Sequence, residues 1–399
     1  MEKLIYMDNA ATTSTAPEVV SAMLPFFTEY YGNPSSVYNF AQKSKMAIED
    51  AREIIADSIG AAKSNEIYFT GGGSESDNWA LKSAAFGLRD KGNHIITTKI
   101  EHHAILNTCA YLEKNGFEVT YLDVDSEGFV SLEDVENAIT EKTILISVMF
   151  ANNEIGTIEP VREIGEIAHK HGILFHTDAV QAMCHVPINV TEMNIDLLSA
   201  SAHKFHGPKG IGFMYMKNSA KLEPFIHGGA QERARRAGTS NVPGIVGMGQ
   251  AVKLALSTLD KDTHTIINMR NYIVDRILGE IPDVTFDGPC IDANADVNAV
   301  SVGLPMCSLK RLPSNMHFCF KDVSGDSLLI MLDMNGICAS SGSACAAGSI
   351  DPSHVLLAIG RSKGETKGAL RLSIDKNLTK EDADYAIDAL KAAVARLRG

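Results

Sequence analysis

Lys204 stands between two histidines and ahead of a Gly-Pro turn in "SASAHKFHGPKG" (199–210). A lysine held at a strand end beside a carboxylate can form a Schiff base when its neighbours depress its pKa. Taken alone, a surface lysine is the more ordinary account. In "ILFHTDAVQA" (173–182), Asp178 ends a strongly apolar run. An unpaired carboxylate is costly there, so a cationic partner is expected; Gln181 follows three residues on. In "GGGSESDN" (71–78), three glycines precede Ser74 at the start of a helical pattern. Free N–H groups and the positive end of a helix dipole make a phosphate site. A Gly-rich turn with Ser74 as N-cap accounts for the stretch equally well. The Lys-Ser/Thr of a P-loop is absent.

Two further segments carry flat or amide-bearing side chains. Glu101-His102-His103 follows an apolar run. No HExxH-type companion spacing makes these histidines metal ligands, which leaves ring stacking by His102 or a solvated pair. "ANNEIGT" (151–157) offers amide donors from Asn152 and Asn153, or an Asx turn. Each signal is weak alone. Together, a phosphate cradle, a stacking ring, a carboxylate for a ring nitrogen and a lysine for an aldehyde describe a pyridoxal 5'-phosphate site. A different kind of chemistry attaches to Cys345, in the small polar stretch "SSGSACAAG" (340–348). Structural cysteines are usually buried, and this one has almost nothing around it in sequence to bury it. By contrast Cys338, after an apolar run, is expected in the core.

The elements that must position these residues are short apolar runs alternating with amphipathic helices. Strands are expected over 66–70, 94–98, 117–122, 143–150, 173–178, 195–201 and 210–216. Helices are expected over 36–60, closing on Gly60, and over 160–172, opening on Pro160. Strands apolar on both faces suit a mostly parallel sheet covered by helices, whose ligands gather at the strands' carboxyl ends. A long helical pattern over 244–282 leads toward "ALRLSI" and a helix over 380–397, while 289–308 breaks the pattern as an inserted loop or hairpin.

At 399 residues the chain exceeds the size at which one core stops growing, so two domains are expected. A net charge of −13 disfavours nucleic acid or an anionic membrane as the main partner. The run "TILISVMFA" is too short to span a bilayer, and "MEKLIYMDNAATT" has no basic segment followed by a long apolar one. Seven cysteines without paired spacing argue for reduced thiols and a cytoplasmic location.

The chain resembles the cysteine desulfurases of the nitrogen-fixation and iron–sulfur assembly type, which are fold-type I pyridoxal phosphate enzymes of the class V aminotransferase group. The likeness runs through "YMDNAATT", "YGNPSS", "GGGSESDN", "EHHA", "ANNEIGTIEP", "FHTDAVQA", "SAHKFHGPKG", "RRAGTSN", "SSGSACAAG" and "ALRLSI" in order. It implies a large α/β domain over 15–258 with a mostly parallel seven-stranded sheet. A smaller α+β domain over 1–14 and 259–399 would carry the cysteine loop. It implies that Lys204 holds the cofactor, Asp178 pairs with the ring nitrogen, and His102 stacks on the ring and carries protons. Gly73, Ser74, Ser201 and His203 match the phosphate cradle. Asn153 and Gln181 match residues around the ring hydroxyl and substrate. Thr239 matches a residue reaching the other subunit's phosphate, so a homodimer is implied. Arg371 matches the arginine that grips the substrate carboxylate, a bidentate task.

Cys345 matches the nucleophile that takes sulfur from L-cysteine as a persulfide, releasing alanine and passing sulfur to an acceptor protein. No metal is implied. Departures from the family pattern are Ser74 where threonine is usual, Ala230 in "GGAQE", and Tyr38 and Ala41 after "GNPSS". Other readings are a small-amino-acid transaminase, which gives Cys345 no task, a selenocysteine lyase, and a silent scaffold. The presence of Lys204, Asp178, His102 and Cys345 argues against the last.

Overall fold

The computed structural model describes residues 4–220, 222–291, 309–341 and 352–399. A short first strand, β1 (Ile5–Tyr6), precedes the seven strands of the large sheet. These are β2 (Ile67–Thr70), β3 (His94–Thr98), β4 (Glu118–Leu122), β5 (Thr143–Ser147), β6 (Leu174–Asp178), β7 (Leu197–Ser201) and β8 (Gly212–Met216). Their order is β2-β8-β7-β6-β5-β3-β4, and only β8 runs against its neighbours. The sheet is therefore mostly parallel, as its two-sided apolar strands require. Its carboxyl ends release Gly71, Glu101, Ala151, Ala179 and Ala202 on one edge, so all five chemistry-bearing segments start from the same side of the sheet.

The expected strand over 143–150 is assigned only as far as Ser147. The rest of its apolar run still leans on β6, where the Val148 and Phe150 amides donate to the carbonyls of His176 and Asp178. The helix expected over 36–60 spans Asn39–Ser58, with Gly60 at φ +64° just beyond it. The second spans Val161–Lys170 with Pro160 at its N-cap and Gly172 at φ +67°.

A second sheet contains β9 (Val284–Phe286), β10 (Asn315–Phe320) and β12 (Ala369–Ser373), antiparallel in the order β12-β10-β9; β11 (Ile337–Cys338) pairs in parallel with β1. One helix, Val242–Glu280, serves both regions. Its Ile245, Met248 and Val252 join the core beneath the large sheet with Ile55, Phe175 and Phe213. Its Ile273 and Ile277 join a second core with Ile5, Met7, Phe318, Leu370 and Leu390. The helix is long and apolar enough in composition to cross a membrane, but those residues fill the two cores. We propose the division near residue 258 on the ground that the helix changes cores between Val252 and Ile273. Cys338 is only partly buried, because in the two-residue β11 it is Ile337 that faces the second core, and the next side chain along a strand points to the other face.

Candidate active site

The turn after β2 forms the expected phosphate cradle. Gly72 has φ +147°, a left-handed conformation that favours glycine, and caps the helix Gly73–Gly87 without any side-chain bond. Ser74 is therefore not the N-cap, which removes the alternative account of its hydroxyl. A Cβ on Gly73 would lie 2.5 Å from Val180 Cγ2, so the backbone must stay bare where it faces the cavity. Glu75 ties the turn down, accepting from the Gly71 amide at 2.8 Å and from Arg236 Nε at 2.8 Å.

Asp178 ends β6 and is 5% exposed. Its Oδ1 accepts from the Val180 amide at 2.9 Å. Burial pushes its carboxyl up, and the Val180 amide bond and the charge of Lys204 pull it back down. Beside it, Asp77 is buried with no bonded partner at Oδ1 among the described residues, 3.7 Å from His176 Nε2. Burial, then the charge of Asp178, push Asp77 well up. His176 is held between the hydroxyls of Ser147 (2.9 Å) and Ser199 (3.0 Å), and burial pushes it down to about 3, so its ring is neutral.

Lys204 follows β7 in a short 3-10 turn, and its Nζ donates to the carbonyls of Ala10 (2.6 Å) and Ala11 (2.9 Å). The Gln181 amide donates to the same Ala10 carbonyl at 2.9 Å. The segment around "DNAATT" thus reaches across from the second core to close one wall. His203 meets Thr12 Oγ1 at 3.1 Å, and burial and Lys204 push it down to about 4.

His102 caps the helix His103–Glu113, its Nδ1 accepting from the Ala104 amide at 3.1 Å. That bond requires an unprotonated Nδ1, so the ring proton sits on Nε2. The neighbouring Glu101 is buried and joins two strand ends, accepting from Thr98 Oγ1 and the Met149 amide, both at 2.9 Å. The asparagine pair divides its labour. Asn152 forms the Asx turn, accepting from the amides of Glu154 (2.9 Å) and Ile155 (3.0 Å), whereas Asn153 lines the cavity. Arg371, on β12, is 2% exposed; it donates to the Asn153 carbonyl at 3.0 Å and to Asp8 Oδ1 at 2.8 Å.

One cavity of about 400 Å³ brings together Gly73, Ser74, His102, Asn153, Asp178, Gln181, Ser201, His203, Lys204 and Arg371. Thr239 lies elsewhere, in a depression with Gly71, Glu232 and Arg236. Arg236, which lines the same depression, pairs with Glu75 of the cradle turn. Cys345 lies outside the described residues, as does most of the 289–308 stretch. Ala230 has φ −81°, which admits its extra methyl without backbone strain. Tyr38 is exposed and Ala41 fully buried in the helix it begins.

Sequence reasoning missed five residues: Asp77, His103, Glu154 and His354 in the cavity wall, and Asp8 behind Arg371. Asp77 was open to detection, three residues after Ser74 on one helix face. His354 was not, because it meets Glu101 across 253 residues of chain. The donor set suits a flat, anionic cofactor with a basic ring nitrogen and an aldehyde. It offers bare backbone at a helix start, a buried carboxylate, a stacking imidazole and a lysine amine.

The aminotransferase class-V family matches residues 5–386. A cysteine desulfurase IscS from Clostridium botulinum is 54% identical over 398 residues, covering 100% of this chain and 96% of that protein. A solved NifS-like protein superposes with a TM-score of 0.89 at 35% identity, covering 99% of this chain and 100% of that one. A structure described as SspA in complex with cysteine superposes with a TM-score of 0.78 at 38% identity, covering 94% of this chain and 100% of that one.

Proposed function

This chain belongs to the aminotransferase class-V family and is a cysteine desulfurase; from that premise we propose which of its residues free sulfur from L-cysteine and leave L-alanine. The family implies pyridoxal 5'-phosphate as the kind of cofactor, which when bound supplies an electron sink next to the substrate's α-carbon. Gly73, Ser74, Ser201 and His203 would hold its phosphate, and Asp178 its ring nitrogen. A cationic ligand nitrogen there would bring the Asp178 carboxyl back toward its ordinary ionised state. Lys204 presents its amine toward the same cavity, held by two carbonyls until a ligand displaces them.

Around the substrate, Arg371 grips the carboxylate, with Asn153 and Gln181 beside it. His102 carries a proton on Nε2 and would stack on the cofactor ring. Cys345 is the nucleophile. Its thiolate forms a bond to the substrate sulfur as the carbon–sulfur bond breaks, and the sulfur remains on the enzyme as a persulfide while alanine leaves. A cysteine thiol has a pKa of about 8.5, so a nearby cation or base must favour the thiolate. An iron–sulfur scaffold or another thiol carrier then takes the sulfur. The protein works as a homodimer in which Thr239 completes the partner's phosphate site. Apolar side chains at Leu24, Phe27, Tyr31, Val37 and Met46, all more than half exposed, support this reading. A cytoplasmic setting belongs to the same proposal, supported by five described cysteines that are all free.

The observation that carries the reading is the convergence of Lys204, Asp178, His102 and Arg371 on one cavity. The test is to supply L-cysteine and a reductant and to measure alanine and sulfide. Equal yields of the two, lost together with the visible cofactor absorbance in Lys204→Ala, are expected. Absence of alanine from the cofactor-loaded protein would refute it.

A further inference from the structure

His354 opens the helix His354–Ala358, the first described helix after the cysteine stretch, and its half-buried ring lines the cavity. Its Nε2 lies 2.9 Å from the carbonyl oxygen of Glu101. A carbonyl only accepts, so the proton must sit on Nε2, and Nδ1 is left as the ring's acceptor. His102 is in the opposite tautomer, with Nδ1 accepting from the Ala104 amide and the proton on Nε2. Two imidazoles in one cavity wall are thus fixed as complements, one a donor and one an acceptor. The His103 ring packs against His354 at 4.9 Å between centroids, tilted by 48°, which restrains the ring further.

The position along the cavity is also fixed. Ser353 donates to Glu154 Oε2 at 2.6 Å, and Arg371 donates to the carbonyl of Asn153, one residue earlier in the chain. His354 and Arg371 therefore hang from the same two-residue turn. That puts His354 and Arg371 on one stretch of the cavity wall, joined through Asn153 and Glu154. A carboxylate held at Arg371 leaves the remainder of a small amino acid within the same wall. The wall there offers an acceptor of defined tautomer, whereas an aliphatic side chain would need none.

We propose that His354 is a specificity-determining residue whose Nδ1 accepts the S–H hydrogen of the bound substrate thiol. This rests on the assignment of L-cysteine as substrate and of Arg371 as its carboxylate site. The same atom accepts the thiol proton outright when the sulfur ionises, leaving thiolate and imidazolium with no other reactant.

The test uses the cofactor-loaded enzyme and compares a ligand with a thiol to one without. His354→Phe keeps a ring against His103 and removes both ring nitrogens, the acceptor included. The ratio kcat/KM for L-cysteine is expected to fall about threefold to tenfold, the scale of one hydrogen bond. The inhibition constant of L-alanine, which has the carboxylate and amine but no sulfur, is expected to stay within about twofold. His354→Leu, which also lacks an acceptor, should show the same split should the phenylalanine variant unfold at a lower temperature than wild type. Equal loss for both ligands in both variants, or no loss for L-cysteine, would overturn the proposal. Failure of the wild-type enzyme to make alanine from L-cysteine would instead refute the function on which it rests.

Discussion

Arg371 Nη2 donates to Asp8 Oδ1 at 2.8 Å, so an arginine that lines the cavity is held by a carboxylate 363 residues away. The guanidinium is 2% exposed and the carboxylate 18%. The same arginine pairs by its backbone with Ser340, its amide donating to the Ser340 carbonyl while its own carbonyl accepts from the Ser340 amide at 3.2 Å. Asp8, Arg371 and the start of the cysteine stretch are therefore one mechanical unit. Removing one partner of a largely buried pair leaves the other charge uncompensated. Asp8→Asn should lower unfolding stability by about 2 kcal/mol, within the range for a bond to a charged group. A denaturant titration checks this; an unchanged midpoint would show that Arg371 does not depend on Asp8.

Two buried carboxyls set a pH dependence of stability. Glu159 accepts from the Val130 amide at 3.0 Å, and burial raises it to about 8. A carboxyl raised in the folded state holds a proton that the unfolded chain has lost, so its contribution is full below about pH 4.3 and declines as pH rises toward 8. Glu159→Gln lacks that decline. Its stability relative to wild type should grow by about 1.4 kcal/mol per pH unit in that window and level off above it. Asp77→Asn should behave likewise from about pH 3.9 upward, since Asp77 faces Asp178, Glu101 and a neutral His176 with no cation among them. Unfolding of the cofactor-free protein at several pH values measures both. A deficit for either variant that widens with pH would mean the native group is ionised.

His102 is expected to transfer protons rather than hold the fold. His102→Gln should keep the cofactor's absorbance and lower kcat about 100-fold or more, the usual scale for a positioned acid or base. Steady-state kinetics with a matched absorbance spectrum decides it, and a kcat within threefold of wild type would assign His102 to stacking alone.

A shared site requires two chains. The protein, 43.0 kDa as one chain, should sediment at twice that mass. Thr239→Ala should weaken cofactor retention without lowering the unfolding temperature of the cofactor-free dimer. A monomer that retains cofactor as tightly would contradict the role given to Thr239.

Much of the site was legible because the fold places chemistry where strands stop. Asp178 betrayed itself as a carboxylate ending an apolar run, and Lys204 as a cation just past the next strand. Both lie at carboxyl ends of neighbouring parallel strands, β6 and β7. The glycine turn carried two readings in the sequence, and of the N-cap reading the structure shows that Gly72, not Ser74, caps the helix. Asp8 and His354 stayed hidden for a different reason. Each acts through a partner hundreds of residues away, and no local pattern of polarity records a contact made between two packed regions. Strand length was overread at 148–150, where apolar residues continue along β6 past the assigned strand end.

The central claim is that sulfur leaves L-cysteine onto Cys345. Cofactor-loaded wild type and Cys345→Ser should each be given L-cysteine without reductant and examined by mass spectrometry of the intact protein and by alanine assay. The account predicts an added sulfur on the wild-type chain, with alanine formed alongside. The serine variant should keep its cofactor absorbance and show neither. Alanine formed by Cys345→Ser at the wild-type rate, or sulfur found on another cysteine, would contradict it.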